Sequence, residues 1–152
     1  MSRKIQAGVL KRKLQIGLVD IVEVIDWGGA ELSLCDELDE DLGELASMSM
    51  HCSKDEITIL SFLEKGAPEL SIHKELFRDF LSKSTFDEAS ARMVAGCMES
   101  LELIGPSLFG NKAGYFKCAF EDADLGNYSD AKTIQAELID FLTQRLLFMD
   151  DG

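Results

Sequence analysis

Apolar residues recur along this chain at intervals of three and four positions, which is the spacing of one face of an α-helix. The clearest example is the stretch in which Leu18, Ile21, Val24 and Ile25 follow one another at helical spacing. The alternation of apolar and polar residues that is typical of a half-buried strand is rare. The sequence therefore predicts an all-α protein, built either as a single-domain multi-helix bundle or as a short array of helical pairs.

Capping residues and helix breakers indicate where the helices begin and end. Asp20, Ser53 and Thr85 are each followed three residues later by Glu, which is the pattern of a capping box at a helix start. Glycines and the two prolines of the chain mark the stops. The predicted helices cover residues 3–16, 20–33, 37–47, 54–65, 69–83, 86–104, 112–123 and 130–148.

The length and composition are those of a folded domain. A chain of 152 residues with 46% hydrophobic residues can bury a core without disulfides or metals. We expect one helical domain over residues 1–152, with a basic segment at 1–13 and a frayed tail at 150–152. The apolar stretch that follows the basic segment contains three acidic residues, which argues against a signal peptide or a membrane span. The four cysteines form no C-x-x-C pair, so we expect reduced thiols and a cytoplasmic protein.

Charge is distributed unevenly along the chain. Residues 1–13 contain five Lys or Arg and no acid, whereas the whole chain has 28 Asp and Glu against 15 Lys and Arg. The acidic remainder repels nucleic acid and attracts basic protein. The basic segment is too short for a nucleic-acid site, and Lys11, Arg12 and Lys13 can equally pair with acids of the same molecule. We therefore expect a basic protein partner and no nucleic-acid or membrane partner.

The densest acidic segment runs from residue 36 to residue 44 and contains six acids in nine residues. Leu34, Leu38, Leu42 and Leu45 occur at helical spacing, which predicts that these leucines face the core while the acids face solvent. A solvated helix face accounts for this pattern as well as a docking surface does. Because like charges at this density repel one another, a cationic partner would stabilise the segment. The predicted partner-binding residues are Asp36, Glu37, Asp39, Glu40, Asp41 and Glu44.

A second candidate surface follows the glycines at 110 and 114, where aromatic and acidic residues occur close together. Protein interfaces favour this mixture, with tyrosine as an anchor. The alternative is that Tyr115, Phe116 and Phe120 belong to the core and that Tyr128 caps a turn. The candidate residues of this surface are Tyr115, Glu121, Asp122, Asp124 and Tyr128.

No motif for catalysis or metal binding is evident in the sequence. Asp39 and Asp122 each begin like a calcium-binding EF-hand loop, but neither is followed by the glutamate that such a loop requires at position 12. His51 and Cys52 are adjacent, and adjacent side chains rarely face each other, so a small buried thiol is the simpler explanation. An enzyme with a pocket of distant carboxylates is conceivable, but nothing in the sequence favours it. We predict no catalytic residue, no metal and no cofactor.

The segment from Leu14 to Trp27, LQIGLVDIVEVIDW, resembles the start of small helical bacterial immunity proteins from contact-dependent growth inhibition and other polymorphic toxin systems. The order of helices and the Gly-Asn-Tyr-Ser-Asp turn before a final amphipathic helix are similar as well. The resemblance implies a bacterial toxin inhibitor without enzymatic activity. Such a protein binds a cognate toxin, often a basic nuclease, and blocks its active or substrate-binding face. The alternative is a helical adaptor or regulatory subunit that recognises another basic protein.

Overall fold

The computed structural model describes residues 1–48, 53–105, 108–126 and 130–151. Within these ranges the chain forms eight α-helices and no strand, so the all-α prediction is confirmed. Every predicted helix end lies within three residues of the observed one. The helices are α1 (Arg3–Gln15), α2 (Ile21–Ser33), α3 (Glu40–Ala46), α4 (Ser53–Leu63), α5 (Glu69–Phe86), α6 (Glu88–Ile104), α7 (Lys112–Asp124) and α8 (Ala131–Asp151).

Contacts within the chain divide it into two compact units, Met1–His73 and Lys74–Gly152. The boundary falls inside α5, so unit 1 contains α1 to α4 and the start of α5, and unit 2 contains the rest of the helices. The expectation of one domain over residues 1–152 stays a prediction. In the described ranges, no helix is both long enough and apolar enough to cross a lipid bilayer.

Unit 1 is held together by apolar side chains from α1, α2, α3 and α4. Val24, Leu42, Leu45 and Leu60 are fully buried, and full burial of one such side chain stabilises a fold by about 1.5–3 kcal/mol. Gly28 lies where α2 and α3 approach closely, because a Cβ atom there would lie 3.0 Å from the side chain of Leu45 and would displace it by a few tenths of an ångström. The core of unit 1 is therefore completed by a helix, α3, that has only seven residues.

Helix α4 carries a carboxylate within its buried stripe. Glu56 lies one turn before Ile59 and Leu60, which are core residues, and it is only 1% exposed. Both of its carboxylate oxygens are buried without a hydrogen-bond partner among the described residues. The prediction that Glu56 completes a capping box with Ser53 is therefore wrong, because position 56 faces the core.

The other two predicted caps have opposite outcomes. Asp20 is the N-cap of α2, as predicted, because its carboxylate accepts a hydrogen bond from the backbone N–H of Glu23 at 2.9 Å. Thr85 is not a cap, because α5 continues through Phe86. Asp87 caps α6 instead, and its carboxylate accepts a hydrogen bond from an N–H of the first turn. An aspartate in an extended conformation is a stronger N-cap than a threonine two residues earlier.

Unit 2 has a core rich in phenylalanine. Phe77 of α5 packs against Phe109, with ring centroids 5.1 Å apart, which is a favourable aromatic geometry. Leu138 and Leu142 of α8 are fully buried, so the last helix packs against this core. Helix α8 extends three residues further than predicted, to Asp151.

Candidate functional site

The acidic segment at 36–44 forms a corner between α2 and α3. Helix α2 ends at Ser33, and residues 35–39 belong to no helix. Asp39 is the N-cap of α3, because its carboxylate accepts a hydrogen bond from Leu42 N at 3.1 Å. The predicted helix start at residue 37 is thus three residues too early, since the helix begins after its capping aspartate.

The break before α3 changes which leucines are buried. Leu42 and Leu45 are fully buried, as predicted, whereas Leu34 and Leu38 are 74% and 79% exposed. The prediction for Leu34 and Leu38 is wrong because helical spacing places residues on one face only within a continuous helix. Two large apolar side chains are therefore exposed beside the acidic residues.

The corner has a strong excess of negative charge. No Lys or Arg occurs from residue 14 to residue 53, a stretch that contains ten Asp and Glu, and this signal was available in the sequence. Of the six predicted carboxylates, Asp39 caps α3. The other five form no ion pair with any described residue. We define the acidic face as these five carboxylates and the two exposed leucines. Its residues are Leu34, Asp36, Glu37, Leu38, Glu40, Asp41 and Glu44.

The basic segment covers most of α1, and at least three of its five cations form ion pairs within unit 1. Arg3 Nε lies 3.2 Å from a carboxylate oxygen of Glu31. Lys11 Nζ and Arg12 Nη1 each lie 2.7 Å from the carboxylate of Glu64. Burial raises the pKa of Glu64, but the hydrogen bonds from Lys11 and Arg12 outweigh burial and hold this pKa below its ordinary value. The alternative that these two cations pair within the same molecule is confirmed.

We expect His73, at the end of unit 1, to make the stability of the fold sensitive to pH. Burial lowers its pKa below the ordinary 6.5, the carboxylate of Glu69 opposes this effect, and the charge of Arg12 adds to it. The unfolded chain therefore binds a proton at this position before the folded chain does. We predict that the free energy of unfolding falls as the pH drops below 6.5. Urea titrations at several pH values measure this fall, and the variant His73→Gln should make it smaller. An unchanged slope in the variant would assign the pH dependence to other groups.

The second predicted surface is largely engaged in contacts within unit 2. Both terminal nitrogens of Arg92 lie 2.6 Å from the carboxylate oxygens of Asp124, and their hydrogen bonds lower the pKa of Asp124. The hydroxyl of Tyr115 donates a hydrogen bond to Glu137 at 2.8 Å, which raises the pKa of Tyr115. Asp124 and Tyr115 therefore already have partners within the chain.

The remaining residues of that surface are divided between core and solvent. Phe116 and Phe120 are buried, as the core alternative predicted. Glu121 is exposed and Asp122 is half-buried. Tyr128 lies outside the described residues. This surface therefore offers a partner fewer free charges than the acidic face does.

Neither a metal cluster nor a disulfide is found in the described part of the chain. There, no three His, Cys, Asp or Glu side chains are placed to hold one metal ion. Cys35, Cys97 and Cys118 are free thiols, and burial raises the pKa of Cys97. His51 and Cys52 lie outside the described residues.

The residues that carry the resemblance to immunity proteins have structural roles in this chain. They form the end of α1, the turn between α1 and α2, and the first half of α2, with Asp20 as N-cap. At the end of this segment, Trp27 Nε1 donates a hydrogen bond to Gln6 Oε1 at 2.8 Å and so joins α2 to α1. Comparison with protein-family models, with curated proteins and with solved structures gave no match to this chain.

Proposed function

We propose that this chain is an immunity protein, which binds a cognate basic toxin of the nuclease type and blocks its active or substrate-binding face. The observation that carries the proposal is the acidic face, with five carboxylates that have no ion pair among the described residues. A nuclease presents a cationic surface to the phosphates of its substrate. An acidic surface of this kind competes for the same cationic groups. The resemblance of residues 14–27 to bacterial immunity proteins supports the same assignment.

The energetics of the acidic face favour association with a cation-rich surface. Glu40 and Glu44 are four residues apart on α3, and like charges at this spacing destabilise a helix by about 0.2–0.5 kcal/mol. A cationic partner removes this repulsion. The long-range attraction raises association rates by about 10- to 1,000-fold. Leu34 and Leu38 supply the apolar contact that the centre of a stable interface needs.

Capture from a lysate of the source organism tests the proposed class of partner. The tagged full chain is used as bait at low and at raised salt, and retained proteins are identified by mass spectrometry. We expect one basic protein in stoichiometric amount. After its separation from the bait, this protein should degrade RNA or DNA, and addition of the bait chain should inhibit the degradation. A retained basic protein without nuclease or toxic activity would instead make the chain a helical adaptor for that protein.

Charge-matched variants test the acidic face itself. Glu40→Gln/Glu44→Gln removes two charges from the face, and Asp55→Asn/Glu69→Gln removes two exposed charges of unit 1 that do not belong to the face. Asp39 is kept in both variants because it caps α3. We expect the first pair to slow association with the captured toxin by about tenfold at low salt and to weaken the dependence of the rate on salt. Stopped-flow or surface-binding kinetics measure both effects. If the two pairs slow association equally, the acidic face is only a solvated surface.

A further inference from the structure

A polar cavity of about 310 Å³ lies in unit 1, where α1 meets the end of α4 and the start of α5. Arg12, Glu64, Lys65, Gly66, Glu69 and Ile72 are among the residues that line it. Its volume lies at the lower end of the range for small-molecule sites, about 300–1,000 Å³. The proposed function makes no use of this cavity.

The mouth of the cavity is cationic in a protein whose net charge is −13. Lys11, Arg12 and Lys65 lie at or beside it, and the only carboxylates in the lining are those of Glu64 and Glu69. Glu64 is already bound by two of these cations, and the side chain of Glu69 is 64% exposed, so it can turn away into solvent.

A fourth cation, Lys4, reaches the same place and lies beside Gly66. Gly66 has a φ of +85°, a left-handed conformation that favours glycine. Lys4 Nζ lies 3.4 Å from the position that a Cβ atom would take on Gly66. Four cations and two carboxylates leave a local excess of two positive charges, which matches a dianion.

Several hydrogen-bond donors at the cavity have no acceptor among the described residues. Arg12 donates through Nη1 to Gly8 O and to Glu64, while its Nε and Nη2 donate to no described residue. Lys65 Nζ lies 5.7 Å from the centre of the Phe62 ring and forms no ion pair with a described residue. Guanidinium and ammonium groups with free donors are the groups that bind phosphate in proteins.

We propose that this cavity binds a phosphate dianion, either inorganic phosphate or the phosphate group of a small monoester. The free donors of Arg12 and the ammonium groups of Lys65 and Lys4 hold the phosphate oxygens. The side chain of Ile72, at the wall of the cavity, contacts the organic part of an ester. The proposal is independent of the acidic face and of any toxin.

Amide chemical shifts of the full-length protein test this site. The protein is titrated at pH 8 with inorganic phosphate and separately with glycerol 3-phosphate, and potassium chloride of equal ionic strength serves as the reference. We expect saturable shifts centred on residues 61–72, and the ligand with the lower Kd identifies the source of the phosphate group. Shifts that do not saturate, or that chloride reproduces, would overturn the proposal.

Two variants distinguish phosphate binding at this cavity from non-specific attraction of anions to surface cations. Lys65→Gln removes a cation from the cavity, whereas Lys132→Gln removes an exposed cation from the first turn of α8 in unit 2. We expect Lys65→Gln to raise the Kd about 10- to 100-fold, which corresponds to the loss of one charge-assisted hydrogen bond. We expect Lys132→Gln to leave the Kd unchanged. Equal weakening by both variants would mean that phosphate binds to no particular site.

Discussion

Replacement of Glu64 by glutamine lowers the free energy of unfolding by about 3 kcal/mol. The substitution leaves Lys11 and Arg12 largely buried without the carboxylate that both of them contact at 2.7 Å. Removing one partner from a buried ion pair costs about 3–5 kcal/mol, and the partial exposure of these side chains places the expected loss at the lower end. Urea unfolding at neutral pH measures the loss, and the fluorescence of Trp27, the only tryptophan and a residue of unit 1, reports it.

A neighbouring glutamate provides the control for Glu64. Glu69→Gln removes the same charge from the same cavity, but its side chain is 64% exposed, so we expect a change within about 0.5 kcal/mol. The effect of Glu64→Gln should also shrink in acid. Because the folded-state pKa of Glu64 lies below the ordinary 4.5, its stabilising contribution is complete above pH 4.5 and is lost as the pH falls through the folded-state pKa. Equal losses in the two variants would contradict a special role for Glu64.

Replacement of Glu56 by methionine has the opposite effect to Glu64→Gln and raises the free energy of unfolding by about 2 kcal/mol. Burial of a polar group without a hydrogen bond costs about 1–3 kcal/mol, and neither oxygen of Glu56 has a described partner. Methionine has a similar shape and continues the apolar stripe formed by Ile59, Leu60 and Leu63. Chemical denaturation of the variant and of the original chain measures the gain.

The residue before Glu56 supplies the comparison for that substitution. Asp55 is an exposed acid in the same turn of α4, so Asp55→Asn changes the charge without changing the core and should shift stability by no more than about 0.5 kcal/mol. Glu56→Gln removes the charge but leaves an amide without partners, so it should gain less than methionine does. A loss of stability in Glu56→Met would show that the carboxylate is satisfied in solution.

Hydrophobic periodicity predicted the helices of this chain well because each helix buries a stripe of its own side chains. It failed at the start of α3, where Leu34 and Leu38 keep helical spacing across residues that form no helix. Spacing records where apolar residues occur, and it does not record whether the backbone between them is continuous. The capping aspartate, Asp39, marks the point where the helix α3 begins.

The contacts between helices could not be read from the sequence in the same way. Arg92 and Asp124 are 32 residues apart, and Tyr115 and Glu137 are 22 residues apart. Local patterns define which face of a helix is buried, but they do not define which helix covers it. For the same reason, the cavity beside Arg12 was not predicted. The pairing of Arg12 with an acid of the same molecule was one of the predicted alternatives.

The absence of Lys and Arg between residues 14 and 53 also determines how the acidic face can be modified and mapped. Trypsin cuts next to Lys13 and Lys54, so the complete face is released as one peptide of 41 residues. Enzymes that acylate or ubiquitinate lysine have no acceptor within this stretch, so they cannot change its charge. Amine-reactive cross-linkers find no attachment point there either. Carbodiimides, which join carboxylates directly to lysines, are the cross-linking reagents that react with this face.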